Sequence, residues 1–170
     1  NMLTLGIDPG LNGAWAVLDT DGSLVAVEDL PVIRDGRLAW IDADALFSRL
    51  LEVRGGRSLR AVVERVHAMP RNGSQAAFSQ GATLGSILAT LQLVRASIEL
   101  VQPATWKRAA GLSGAKDATD RERKSASLDR ARLLFPDAPL DRVKDHGRAE
   151  SLLIARHGLL TRGMGLARAA

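Results

Sequence analysis

The stretch Leu3-Thr4-Leu5-Gly6-Ile7-Asp8-Pro9-Gly10 decides how the rest of the chain is read. An apolar run with strand character ends on a carboxylate and is broken at once by Pro9-Gly10. Ala14-Trp15-Ala16-Val17-Leu18-Asp19 reads as a second strand, and Asp21-Gly22 is a two-residue hairpin signal leading to a third, Leu24 to Glu28. Connections this short make neighbouring strands antiparallel. Asp35-Gly36 marks one more turn, between Val32-Ile33 and Leu38-Ala39-Trp40-Ile41.

Beyond this point the pattern alternates. Asp42 or Asp44 caps a helix that ends near Arg54, with Gly55-Gly56 as its stop. Leu59 to Val66 lacks Gly and Pro and reads as a buried central strand. Asn72-Gly73-Ser74 opens a helix from about Gln75 to Ala96, and Ile98 to Val101 is a short fifth strand. Pro103 begins a helical turn through Trp106 and Lys107, a charged helix spans about Thr119 to Phe135, and a last one about Arg148 to His157. The expected fold is α/β: a five-stranded mixed sheet, its first three strands antiparallel, flanked by helices. With 170 residues the chain suits one domain. That domain is expected over residues 1–158, followed by a flexible basic tail over 159–170.

Composition narrows the chemistry. No segment reaches the ~20 apolar residues that span a bilayer, and the N-terminal residues do not form a secretory leader pattern, so the expectation is a cytoplasmic protein. There is no cysteine. A metal would therefore be held by oxygen, with histidine as the other donor, which favours Mg²⁺ with Mn²⁺ as the second choice. The net charge is +4 and the pI about 10.3, and 19 of the 23 cations are arginine. Arginine's planar fork matches phosphate, and the balance suits a polyanion.

Three acidic motifs stand out against this basic background: Gly6 to Gly10 around Asp8, Val62-Val63-Glu64-Arg65-Val66 around Glu64, and Lys144-Asp145-His146-Gly147-Arg148-Ala149-Glu150. Alone, Asp8 is equally a turn former before Pro-Gly. Glu64 among valines is harder to explain as a surface group, since burying an unpaired carboxylate costs several kcal/mol. Arg65 points to the opposite face of the strand and cannot pair with it. Asp145 can cap the last helix, with Glu150 as a favourable acid in its first turn. If that helix extends back far enough, His146 and Glu150 share a face. Taken together, Asp8, Glu64, Glu150 and one of Asp145 or His146 supply about the four ligands that two hard divalent cations need on a phosphodiester. His146 can also position or deprotonate the attacking water.

These motifs, in this order, resemble the RuvC family of Holliday junction resolvases, within the ribonuclease H-like fold, and most closely its phage and prophage branch. Gly6 to Gly10 with Gly13 resembles the family's first motif and Val63 to Val66 its second. Phe78-Ser79-Gln80-Gly81 with Leu84-Gly85 and Leu88 resembles the helix after it. Gln102 to Lys107 resembles the segment before the family's basic loop, and His146 to Ala155 the terminal helix. The resemblance implies a homodimeric, Mg²⁺-dependent endonuclease that cuts four-way or other branched DNA to 5′-phosphate and 3′-hydroxyl ends. Asp8, Glu64, Asp145 and Glu150 would be metal ligands and His146 a further catalytic group.

Two positions depart from the family. Cellular resolvases carry two Asp three apart on the last helix, whereas Gly147 stands three before Glu150 here. His67 stands where cellular members have an aromatic wedge. Lys107, Arg108 and Lys116 around the Gly111–Gly114 loop resemble the family's DNA-contacting lysines, and Arg71 and Asn72 open a helix that can meet phosphate. Arg121, Arg123 and Lys124, mixed with Asp120 and Glu122, read as a solvated helix face. Gly81, Gly85 and Ala89 at four-residue spacing suit a helix that pairs with itself across a two-fold axis. The rival readings are a ribonuclease H-fold nuclease for RNA or flaps and a catalytically silent nucleic-acid binder. An actin-like ATPase, which shares the Gly-rich turn, needs a longer chain.

Overall fold

The computed structural model describes residues 2–67, 73–112, 114 and 116–162. Strands β1 (Met2–Asp8), β2 (Ala14–Leu18) and β3 (Leu24–Asp29) form an antiparallel meander. The hairpin β4 (Val32–Asp35) and β5 (Leu38–Ile41) follows, then α1 (Ala43–Arg54), β6 (Ser58–Glu64), α2 (Ser74–Leu93) and β7 (Ser97–Val101). The chain ends with α3 (Pro103–Ala109), α4 (Asp120–Leu134), a 3₁₀ turn (Val143–Asp145) and α5 (His146–Leu160). The main sheet has the order β3-β2-β1-β6-β7, with β6 and β7 parallel to β1. The expected five-stranded mixed sheet, with its first three strands antiparallel, is the sheet observed.

Alternation along the central strands divides the molecule into two apolar layers. Leu3, Leu5 and Ile7 of β1 and Ala61 and Val63 of β6 pack under α1 and α2 with Leu46, Leu50, Ile87 and Leu91. Val62 of β6 and Ala16 and Leu18 of β2 face the other way, onto Trp106 of α3, Leu128 of α4 and Leu152 and Ile154 of α5. Gly6 also lies on this second face. A Cβ there would meet the backbone of Ser151 and Ala155 at 2.3 Å, so α5 rests directly on the β1 main chain.

Four local differences from the sequence reading have physical causes. The Asp35-Gly36 turn joins true strands that pair into a separate two-stranded sheet. Helix α2 stops at Leu93 rather than Ala96, because Arg95 takes a left-handed conformation (φ 55°) and turns the chain into β7. Helix α5 begins at His146 rather than Arg148, since Gly147 fits against the β1 turn, and it runs past His157 to Leu160. The tail expected from residue 159 therefore starts within this helix, and residues 163–170 lie outside the described part. Among the described residues no helix is long and apolar enough to cross a membrane.

Candidate active site

Parallel pairing places Asp8 and Glu64 side by side. Ile7 is in register with Val63, so the next residue on each strand is one of the two acids, about 4.8 Å apart along the backbone spacing of a sheet. By alternation both belong to the face covered by α5. Glu150 is on the first turns of that helix, one residue before Ser151, whose carbonyl lies against Gly6. The three acidic residues thus come to one end of the sheet because β1 and β6 are adjacent and because Gly6 admits α5.

Asp8, Glu150, Lys124 and His146 line one cleft of about 490 Å³, whose far wall is Val66 with Ser79, Gln80 and Thr83 of α2. Glu64 is not among the cleft's lining residues; it lies beside Asp8 on the neighbouring strand. The indole Nε1–H of the fully buried Trp106 donates to Glu64 Oε2 at 2.6 Å, and Ser127 Oγ donates to Glu150 Oε1 at 3.3 Å. Burial pushes the Asp8 carboxyl well above its ordinary range, and the charges of Glu150 and Glu64 push it further, against Lys107 and Lys124. Burial likewise raises Glu64, partly offset by the Trp106 hydrogen bond, and Glu150 next raises it again. Glu150 is raised by burial, with Lys107, Ser127 and Lys124 opposing.

Among the described residues no three acidic or histidine side chains are close enough together to hold a metal ion as they stand. Glu64 and Glu150 are each turned onto a neutral donor, Trp106 and Ser127. Their chemistry nevertheless fits a hard divalent cation. The donors are oxygens, and burial with nearby carboxylate charge raises each of them.

The two candidates beside Glu150 part company. His146 lines the cleft. Asp145 is 2% exposed and turned away from it: Oδ2 accepts from the Arg142 backbone N–H and Oδ1 from Arg142 Nε, both at 2.8 Å. Burial raises the Asp145 carboxyl, but the hydrogen bonds and charge of Arg142 outweigh it and hold the group low. Asp29, at the end of β3, ties the same turn down by accepting from Arg148 Nε at 2.7 Å. The expected place of Asp145 among the metal ligands is therefore not where its side chain lies; it braces the turn that carries His146. Gly147 is accounted for as well, because a Cβ there would meet the Asn12 carbonyl at 3.0 Å and Asp8 Oδ2 at 3.4 Å.

Of the expected DNA contacts, Lys107 lies nearest the acids. Its Nζ is 5.2 Å from the Trp106 ring centre, and its charge lowers all three carboxyls. Lys107 and Lys116 line a neighbouring hollow, while Arg108 is exposed at the end of α3. His67 is exposed and hydrogen-bonds Gln102 Oε1 at 2.9 Å. Arg71 and Asn72 lie outside the described residues. The sequence reading missed Lys124. It sits in the cleft, pairs with Asp120 at 2.9 Å, and acts on both Asp8 and Glu150. Its only local signal was a place in a charged run.

The raised carboxyls carry a thermodynamic consequence. A carboxylate whose folded pKa exceeds its unfolded one contributes stability at low pH that is lost as pH rises through the folded value. The share of the metal-free protein's stability that these three acids carry should therefore fall from the ordinary carboxylate range upward. Asp8→Asn should melt higher than wild type in chelator at mildly alkaline pH, with the gain shrinking on acidification. Mg²⁺ should raise the wild-type melting temperature more than that of the variant. Equal melting curves across pH would show that the three acids do not feel one another.

Comparison with known proteins adds to the geometry. No family model matches the chain. The chloroplastic Holliday junction resolvase MOC1 of Chlamydomonas reinhardtii is 37% identical over 113 residues, a match that takes in 64% of this chain and 12% of that protein. The chain thus spans only a small part of that relative's length. A structure of Thermus thermophilus RuvC in complex with Holliday junction substrate superposes with a TM-score of 0.67 at 19% identity, over 96% of this chain and 97% of that one. A second T. thermophilus RuvC structure gives 0.55 at 20% identity. The fold is ribonuclease H-like, as in RuvC.

Proposed function

We propose that this chain, RuvC-like in fold and in sequence, is a divalent-metal-dependent endonuclease that cuts four-way or other branched DNA. One observation carries the reading: Asp8, Glu64 and Glu150, brought from three separate elements, share one basic-rimmed end of the sheet, where Glu150 and Glu64 raise the Asp8 carboxyl and Glu150 raises that of Glu64. Asp8, Glu64 and Glu150 would hold the cation, Mg²⁺ or Mn²⁺, with His146 at the rim. When bound, such a cation supplies positive charge to the phosphate and acidity to the attacking water. The chain's own groups do the rest. Lys107 and Lys124 bring two more charges to the phosphate, where they oppose the negative charge that grows in the transition state. His146 orients the water and takes up its proton. The water oxygen bonds to phosphorus as the bond to the 3′ oxygen breaks, and that oxygen takes a proton from solvent, leaving a 5′-phosphate and a 3′-hydroxyl.

A two-fold partner is part of the proposal. Gly81, Gly85 and Ala89 lie on the exposed face of α2, and a Cβ at either glycine would meet nothing within 4 Å. Phe78, 79% exposed, extends the same face. A second copy packed there would present two sites to two opposed strands.

Cleavage assays on a four-way junction, a flap and an RNA–DNA hybrid, with Mg²⁺, Mn²⁺ or chelator, test the function. The expected result is metal-dependent cutting of the junction to ends that a ligase can rejoin. Preference for the hybrid or the flap would move the substrate to the rival reading. Junction binding without cutting in either metal would leave a DNA-binding protein.

A further inference from the structure

Helix α4 is a ridge between two hollows. On one side lies the hollow lined by Lys107, Lys116 and Arg123. On the other, a groove of about 600 Å³ runs between α4 and the 3₁₀ turn before α5. Its charged lining is Arg121, Lys124 and Arg132 from α4, then Lys144 and His146, against a single carboxylate, Asp120. Lys124 and His146 also line the cleft that holds Asp8 and Glu150, so groove and cleft share a wall.

Two of the groove's cations, Lys124 and Arg132, have carboxylate partners within the chain, and two do not. Asp120 is already paired with Lys124 at 2.9 Å. Arg132 is fixed by two hydrogen bonds to the Leu140 carbonyl, at 2.9 and 2.7 Å, and pairs with Asp129 at 3.8 Å. Among the described residues Arg121 and Lys144 have no ion-pair partner, and both are exposed. Val143, 90% exposed beside Lys144, puts an apolar surface at the edge, and Leu128 closes the floor.

We propose that this groove carries the DNA backbone leading away from the scissile phosphate, with Arg121 and Lys144 each meeting a phosphate and Val143 a sugar. The proposal rests on the nuclease reading and adds a path to it. A phosphate held over Asp8 and Glu150 belongs to a strand whose neighbouring phosphates must leave the cleft over surfaces that attract them. Cations spaced along a groove fit a chain of regularly spaced anions, whereas a single small anion would need them to converge. The shared wall makes the bound strand, and not a separate acidic protein, the occupant in reach.

The test uses the full chain carrying Asp8→Asn, so that the junction stays intact, and measures junction Kd across a salt series. Arg121→Ala and Lys144→Ala are added singly and together, with Arg95→Gln as control. Arg95 lies beside Met2 and Ser58 at the opposite end of the sheet. Each single variant should weaken binding about three- to tenfold and lower the slope of log K against log salt by ~0.9. The control should leave the slope unchanged. An unchanged Kd, or a weaker Kd with an unchanged slope, in the double variant overturns the groove path while the nuclease reading stands. Absence of salt-dependent junction binding by the Asp8→Asn chain itself overturns the nuclease reading instead. Circular dichroism melts of each variant confirm that the fold is kept.

Discussion

Asp8→Asn should abolish strand cutting and leave junction binding within a few-fold of wild type. Asp8 stands where the site's interactions meet: Glu64 on the adjacent strand, Glu150 on the helix above, and Lys107 and Lys124 from α3 and α4 all act on its carboxyl. Asn keeps the shape and removes the negative charge, so the proposed divalent cation would lose its most central ligand. Metal assistance to phosphoryl chemistry is worth several kcal/mol, and each 1.36 kcal/mol is a factor of ten, so the loss should be about 10³-fold or more. Binding should survive, because phosphate affinity comes from the cations around the cleft, and removing a nearby carboxylate does not weaken them. Glu64→Gln and Glu150→Gln should fall in the same direction. Single-turnover cutting by gel, beside Kd from a mobility shift, checks both halves. A variant that cuts at wild-type rate would remove Asp8 from the chemistry; one that loses binding in parallel would make its role structural.

Much of this arrangement was legible before any coordinates. The first three strands and their turns declare themselves by alternation and by Asp21-Gly22, whose glycine takes φ 86°. Glu64 stood out because a carboxylate in a run of valines has no local explanation. What the sequence could not carry was the result of packing. Lys124 belongs to a run of mixed charge with no apolar period to mark one face, and only the docking of α4 against α5 brings its side chain to Asp8 and Glu150. Asp145 and His146 are neighbours on a helix start, where one residue's shift turns a side chain by about 100°. Which of them entered the cleft depended on where α5 begins. Arg142 settled that by drawing Asp145 back onto the preceding turn. The hairpin at Asp35-Gly36 was visible as a turn, but whether its arms joined the main sheet was a tertiary question.

The second large effect should come from a residue without a side chain. Gly6→Ala adds one methyl group where the nearest atoms are main chain: the Ala155 nitrogen and Ser151 carbonyl at 2.3 Å and the Ala155 Cα at 2.8 Å. Side chains can rotate away from an intruder, but a helix backbone can only move as a body. Helix α5 must therefore lift from β1, opening contacts that bury Leu152, Leu153 and Ile154. Overpacking of this kind costs about 1–3 kcal/mol, and more where, as here, nothing soft can yield. The damage should also reach the chemistry. Asp8 is on β1 two residues beyond Gly6, and Glu150 is on α5 one residue before Ser151, so the displacement that relieves the clash separates the two carboxylates proposed to share a cation. Gly6→Ala should lower the melting temperature and, in the fraction that stays folded, raise the Mg²⁺ concentration needed for half-maximal cutting. A surface change such as Gly56→Ala, where a Cβ meets nothing within 4 Å, should neither lower the melting temperature nor change the Mg²⁺ requirement of the chain. If Gly6→Ala melted like wild type, α5 would not sit on β1 as described, and the convergence of Asp8 with Glu150 would lose its structural cause.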